Sequence, residues 1–464
     1  MAVFDYAMIY KVEAECTSPL HTGDSLALTE EILLRSDGKA IIQGNSLAGA
    51  MKEYARNNFP DSYIRLFGGD VKREDRRETE MVEGHLIISD GVFDDARVQL
   101  RPRVRINSAT GAAMDGGKYD IKHIAAGNVF EFTITWLGNK DGDASGKGVN
   151  EDAKVIEQIL SAMNNGLIRL GAYKTSGYGK VSLTVSRECF DMKNAGERQA
   201  WLNNEFKGSR LELASCTAAP EGMDVEIVVK GRMQSALVKA GSDSDKEYEK
   251  TDGNRGAAGL THNIIEDYEY KTAGSTGKVQ KYAVIPGSSI KGVVRNRVNM
   301  IAGWYSGNKH SDSIGKLPDM MFGSADNGDG GSRGCIYFDE LKIHHCEKVN
   351  TKVVSRIRIN KFTGGVMGGA LVNEEIIGDE VELHIHMPEK PQMCALLMYA
   401  LRDLGLGLYN IGSGQSIGRG YVDVDEISVK VGSRKAELRF DKDRNVSGTD
   451  ESGLLAQWIE ALEV

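Results

Sequence analysis

A β-α-β-β-α-β order, legible twice along the 464 residues, predicts an α+β protein of two tandem ferredoxin-like domains, each carrying an inserted hairpin. Three observations predict it. The segment Arg103-Val-Arg-Ile-Asn-Ser-Ala-Thr-Gly-Ala-Ala-Met114 recurs 253 positions later as Arg356-Ile-Arg-Ile-Asn-Lys-Phe-Thr-Gly-Gly-Val-Met367. Other landmarks recur in the same sequence of events. Gly44-Asn-Ser46 corresponds to Gly287-Ser-Ser289, Phe67-Gly68 to Phe322-Gly323, and Gly171, Gly177 and Gly179 to Gly412, Gly418 and Gly420. Between them the apolar period switches between two and about 3.6 in matching places.

Residues 3–16 alternate as a first strand, and Gly44-Asn-Ser46 caps a helix that Pro60 closes. His85-Leu-Ile-Ile-Ser-Asp90 is a second strand and 129–136 a third. Val155, Ile156, Ile159, Leu160 and Met163 share one helical face, and 179–185 is the fourth strand. In the second half, strands are expected at 225–233, 335–343, 381–386 and 421–431, and helices from Pro286 and over 392–404. Helices carrying Trp201 and Trp458 follow the two units. The expected first domain is 1–206 with its hairpin at about 95–125, and 207–221 is a linker. The second domain is 222–464, with an insert at 241–281 and its hairpin at about 346–375.

Composition bounds the function. The net charge of −9 argues against indiscriminate coating of nucleic acid, but 348–361 holds five Lys or Arg and no acid, a local stripe able to bind phosphates. Six scattered cysteines without paired spacing point to buried thiols in a reducing compartment. No basic segment followed by an apolar run opens the chain, and no apolar stretch is long enough to span a bilayer, so a cytoplasmic protein is expected.

Each duplicated segment alternates basic and apolar residues, turns at Thr-Gly and reaches a methionine. That pattern suits a projecting finger with Arg103, Arg105, Arg356 and Arg358 on the shaft and Thr110, Thr363, Met114 and Met367 near the tip. The loops Gly171–Gly179 and Gly412–Gly420 permit close approach of backbone N–H groups to phosphate, with Lys174 and Arg419 adding charge. The helix starts at Asn45, Ser46, Ser288 and Ser289 are potential anion sites, continued by Lys52, Lys291 and Arg295. His384 and His386 share a strand face without a completing ligand, and Asp326-Asn-Gly-Asp-Gly-Gly331 lacks the bidentate Glu of a calcium loop. Asp24, Glu30, Glu31, Glu266 and Asp267 are candidate acids for cleavage of RNA by its own 2′-hydroxyl, or alternatively members of solvated acidic loops.

Together, Pro19-Leu-His-Thr-Gly23, Ile285-Pro-Gly-Ser-Ser-Ile-Lys-Gly292, Phe322-Gly323, the Arg-Ile-Asn-x-x-Thr-Gly fingers and the two glycine loops resemble the RAMP superfamily of RRM-like domains, specifically backbone subunits of type III CRISPR effectors. The resemblance covers nearly the whole chain, twice. It implies a subunit that grips guide CRISPR RNA, wedges its thumb hairpins into the guide–target duplex, and assembles with other effector subunits. His21 joins the implied RNA-binding residues. The resemblance also implies target-RNA cleavage with Mg2+ or another divalent cation, by an acid five residues before an Arg. Counting back from Arg35 gives Glu30 where the family has Asp, and Glu266 with Asp267 stands at the looser second-domain position. Glu30, Glu266 and Asp267 are therefore the expected metal ligands. The alternatives are a non-catalytic structural RNA-binding subunit, a metal-independent guide-processing endoribonuclease using His21, and a small-molecule enzyme on a duplicated fold.

Overall fold

The computed structural model describes residues 4–23, 31–72, 79–107, 113–141, 148–213, 223–239, 260–261, 263–270, 278–309, 312–324, 331–345, 350–367 and 371–463. They form two compact units. One comprises Met1–Gln99, Lys122–Lys174 and Tyr178–Glu221, and the other Leu100–Ile121, Thr175–Gly177 and Gly222–Val464.

In the first unit the central strand Tyr6–Cys16 lies antiparallel between Val181–Asp191 and Val129–Gly138, and the latter pairs with Leu86–Ile88 and Gly91–Phe93. The antiparallel order fourth, first, third, second is that of a ferredoxin-like sheet. Alternation dictates which face is covered. Met8, Tyr10, Val12 and Ala14 are buried, while Lys11 and Glu13 are exposed. The helices Gly44–Asn58 and Val149–Asn164 bring Leu47, Met51, Ile156, Ile159 and Leu160 into the same core. Each such side chain contributes about 1.5–3 kcal/mol when withdrawn from water.

The second unit repeats the order. Val225–Ala236 lies between Val422–Val431 and Val372–Met387, and the latter pairs with Tyr337–Phe338. Ile227, Val229, Leu383, Ile385, Ile427 and Val429 meet Ile290, Val294, Leu397 and Leu401 from the helices Gly287–Lys309 and Pro391–Gly405. The helix Leu454–Glu463 buries Trp458 in this core, whereas Trp201, on Ala195–Leu202, is half-buried against Phe190 at 5.5 Å.

Some elements depart from expectation. The expected strand at 381–386 is the end of a sixteen-residue strand, Val372–Met387. Two further strands, Arg434–Phe440 and Val446–Thr449, extend the sheet edge beyond Val422–Val431. The charged alternation of Arg434–Phe440 and the four-residue length of Val446–Thr449 conceal them in the sequence. Most of the expected insert lies outside the described residues, but Ile265–Tyr270 and Lys278–Ile285 form an antiparallel pair joined by Leu341–His344.

Candidate nucleic-acid interface

Both fingers are hairpins. Val98–Ile106 and Ala113–Ile124 form a two-stranded sheet of their own, while Thr351–Arg356 pairs with the first part of Val372–Met387. Val104, Arg105, Ile106 and Met114 are exposed, and Arg103 is half-buried. In the second finger Ile357, Arg358, Ile359, Thr363, Val366 and Met367 are exposed, and Phe362 at its tip is 92% accessible. Asn360 fixes that tip. Its Oδ1 accepts from the backbone N–H groups of Phe362 at 2.9 Å and Thr363 at 3.3 Å, and its own N–H donates to the Gly365 carbonyl at 2.9 Å. A row of apolar side chains flanked by guanidinium groups has no core to enter, and it suits the faces and phosphates of a nucleic acid. Thr110 lies outside the described residues.

The glycine loops are held by their own backbones. Gly179 and Gly420 have φ of +86° and +74°, and a Cβ on either would stand 2.0 Å from the carbonyl oxygen of Leu170 or Ile411. Gly171 and Gly412 press in the same way on the carbonyls of His21 and Leu237. Several loop N–H groups are spent on the segments that follow the first strands: Ala172 donates to His21, Ser413 to Leu237, Gly179 to Pro19 and Gly420 to Ser235. The glycines are thus required for loop closure, which the expectation of phosphate contact did not anticipate.

What lies against each loop differs. In the first unit His21 is buried with Nδ1 2.7 Å from the Lys122 carbonyl, and its ring centroid is 5.4 Å from that of Tyr173. Tyr173 meets Tyr178 at 5.8 Å, and Tyr178 meets buried His123 at 5.8 Å. His21 is therefore part of a cluster of tilted and edge-on rings and not a solvent-facing contact, and Lys174 is half-buried. In the second unit Arg419 is buried and bonds to Glu374, which also accepts from Arg356 through Nε and Nη2, both at 3.1 Å. Lys239 stands 3.7 Å from the same carboxylate. Burial opposes ionisation of Glu374, but the adjoining guanidinium groups hold it below the usual carboxylate range. Arg419 is directed at Glu374 instead of the surface. Glu374 belongs to no motif, so nothing in the sequence marks it as the partner of Arg356 and Arg419.

The helix starts diverge too. The Gly44 N–H donates to Asp90 Oδ1 at 2.7 Å, so the protein's own carboxylate serves that helix end, while Asn45 and Ser46 are exposed beside it. Lys52 donates to the Gly68 carbonyl. Ser288 and Ser289 are half-buried, and Lys291 donates to Thr175 Oγ1 at 3.1 Å. Burial, followed by the neighbouring charges of Arg295 and Arg333, pushes Lys291 down to about 8. Arg295 pairs with Asp319 at 2.8 Å, and Arg333 stands beside Tyr337.

The acids do not assemble a metal site among the described residues. Asp24 and Glu30 lie outside those residues, as does the Asp267 side chain, whose backbone pairs with Lys281. Glu31 is bound to Lys122 at 2.7 Å. Glu266 is buried and bonds to Arg101, which is fully buried and also bonds to Glu340. A carboxylate committed to an internal guanidinium does not fit a divalent-metal ligand, so Glu266 as placed does not meet that expectation. His384 pairs with Glu382 at 2.9 Å. The segment 325–330, most of the loop compared with a calcium site, is outside the described residues. The four described cysteines, Cys16, Cys189, Cys335 and Cys394, are free thiols. Among the described residues no helix is long and apolar enough to cross a membrane.

The sequence matches the RAMP superfamily over residues 13–182 and 257–423. It is also 25% identical over 170 residues to the CRISPR system Cmr endoribonuclease Cmr4 of Pyrococcus furiosus, an alignment covering 35% of this chain and 48% of that protein. The chain thus spans about half the length of the curated relative it matches.

Proposed function

We propose, from the premise that the chain belongs to the RAMP superfamily, that it is a guide-RNA-binding backbone subunit of a type III CRISPR effector, working in the cytoplasm with target RNA and other effector subunits. The observation that carries this reading is the pair of fingers, each with arginines on its shaft and exposed apolar residues towards its tip. An apolar wedge can separate neighbouring bases for a few kcal/mol, which wider contact repays. Arg105 and Arg358 supply phosphate contacts that position without reading sequence, and base pairing with the guide supplies specificity. The similarity to an endoribonuclease supports the enzymatic part of the proposal: cutting of guide-paired target at regular intervals with a divalent cation such as Mg2+. In the first domain that part rests on Glu30.

The non-catalytic reading has its own support in the second domain, where Glu266 is occupied by Arg101. One experiment separates the readings. The chain is expressed with a repeat array, bound RNA is sized, and the assembled complex is given labelled target with Mg2+ or EDTA. Co-purified RNA with Mg2+-dependent cutting that Glu30→Ala abolishes and Glu266→Gln preserves is the expected result. RNA without cutting leaves the structural role, and cutting in EDTA would replace the metal-dependent reading with the guide-processing one. Protein free of RNA would end the proposal.

A further inference from the structure

Tyr173 occupies a backbone position that its own counterpart assigns to glycine. In the aligned loops it corresponds to Gly414, and both are in the left-handed region, Tyr173 at φ +57° and Gly414 at φ +80°. A residue with a Cβ is strained there, and the strain is greatest for bulky side chains. The second unit shows that the loop closes with glycine at this point, so closure does not require the tyrosine. Something gained from the ring must offset the strain.

The ring's surroundings indicate what is gained. Tyr173 is half-buried, so part of it is reachable at the surface of the loop. It is braced by His21 at 5.4 Å and by Tyr178 at 5.8 Å in an edge-on arrangement. His21 is in turn fixed through Nδ1 to the Lys122 carbonyl and through its own carbonyl to the Ala172 N–H. Lys174 follows directly, and its carbonyl is held by the Arg169 guanidinium at 3.1 Å. A braced aromatic surface next to a lysine in the chain provides a π-face and a neighbouring cation, the two groups that bind a base and its phosphate.

We infer that Tyr173 is a stacking platform for one nucleobase of the bound RNA, a contact that the first unit makes and the second, with Gly414, lacks. The inference rests on the guide-RNA reading and adds a base contact to it. Stacking of this kind tolerates any base, so Tyr173 sets the position of a nucleotide and not its identity.

The test uses the full chain and single-stranded RNA carrying 2-aminopurine at successive positions, with Tyr173→Phe, Tyr173→Leu and Tyr173→Gly compared by affinity, fluorescence quenching and Tm. Tyr173→Phe keeps affinity within about twofold and retains quenching at one position. Tyr173→Leu and Tyr173→Gly weaken binding by about 5- to 150-fold and lose that quenching. Tyr173→Gly holds or raises Tm, because glycine relieves the strain. Wild-type affinity and quenching in Tyr173→Leu would overturn the inference while leaving the guide-RNA reading intact. So would a fall of Tm in Tyr173→Gly that matches the loss of binding, since the ring would then be packing only. A wild-type chain that binds no RNA would overturn both.

Discussion

Tyr173 and Tyr178 of the first glycine loop meet the rings of His21 and His123; Arg419 of the second meets one carboxylate, Glu374, which Lys239 and Arg356 also approach. Yet the loops share their glycine spacing, the left-handed torsions at those glycines, and the same pressing of a glycine on a carbonyl at the end of the first strand. Duplication therefore preserved what the backbone needs and released what the side chains do. Leu237 stands where the first unit has His21, Gly414 where it has Tyr173 and Arg419 where it has Tyr178, in either direction of descent. Edge-on ring contacts are little affected by salt, whereas an ion cluster is screened by it. The two units should respond differently to the same perturbation.

The largest difference should follow removal of Glu374. Glu374→Ala leaves Arg419 buried beside Arg356 with no counter-charge, and the second unit should lose about 3–5 kcal/mol while the first keeps its protection in hydrogen exchange. Acid should act in the same direction. Because the native pKa of Glu374 lies below its ordinary value of 4.5, its contribution is present above that pH and is lost as pH falls through the depressed native value. Equal loss of hydrogen-exchange protection in both units of Glu374→Ala would remove this contrast.

Next come Gly179→Ala and Gly420→Ala, where the units should agree. Each adds a Cβ 2.0 Å from a carbonyl oxygen at positive φ, and each should cost about 2–4 kcal/mol in denaturant unfolding. A large inequality would mean that the loops are not mechanically equivalent.

A smaller effect concerns Lys291, which sheds its proton near pH 8. RNA affinity of the wild type should fall about three- to tenfold between pH 7 and 9, with the salt slope flattening by about one. Lys291→Arg should be flat across that window. Least in stability, and most specific in consequence, is Phe362→Ala. The side chain is almost wholly exposed, so unfolding should change by less than about 0.5 kcal/mol. Binding of guide alone should be unchanged, and binding of the guide–target duplex should weaken.

The duplicated order of strands and helices was legible because apolar periodicity and the glycine landmarks are local properties. Both fingers were legible for the same reason, from Arg103–Met114 and Arg356–Met367. What escaped were properties of partnership. Nothing near Glu374 or Arg101 in the sequence states which charges lie opposite, and Glu266 read as a candidate ligand because its guanidinium partner is 165 residues away. Tyr173 escaped because a positive φ at a non-glycine residue is invisible until torsions are known. Arg434–Phe440 escaped because a strand of an antiparallel sheet needs apolar residues on one face only, and its other positions are charged.

The sixteen residues of Val372–Met387 pair with Thr351–Arg356 at one end and with the core strand Val225–Ala236 at the other. Where the two pairings meet, Gly378 lies so close to the carbonyls of Met233 and Gln234 that a Cβ would stand 2.6–2.8 Å from them. The ribbon is about 50 Å long at 3.3 Å per residue, with that glycine at the junction of its two pairings. The same strand that forms one side of the second finger thus carries Leu383 and Ile385 in the hydrophobic core, so a force on the finger would reach the sheet that bears it through one continuous backbone.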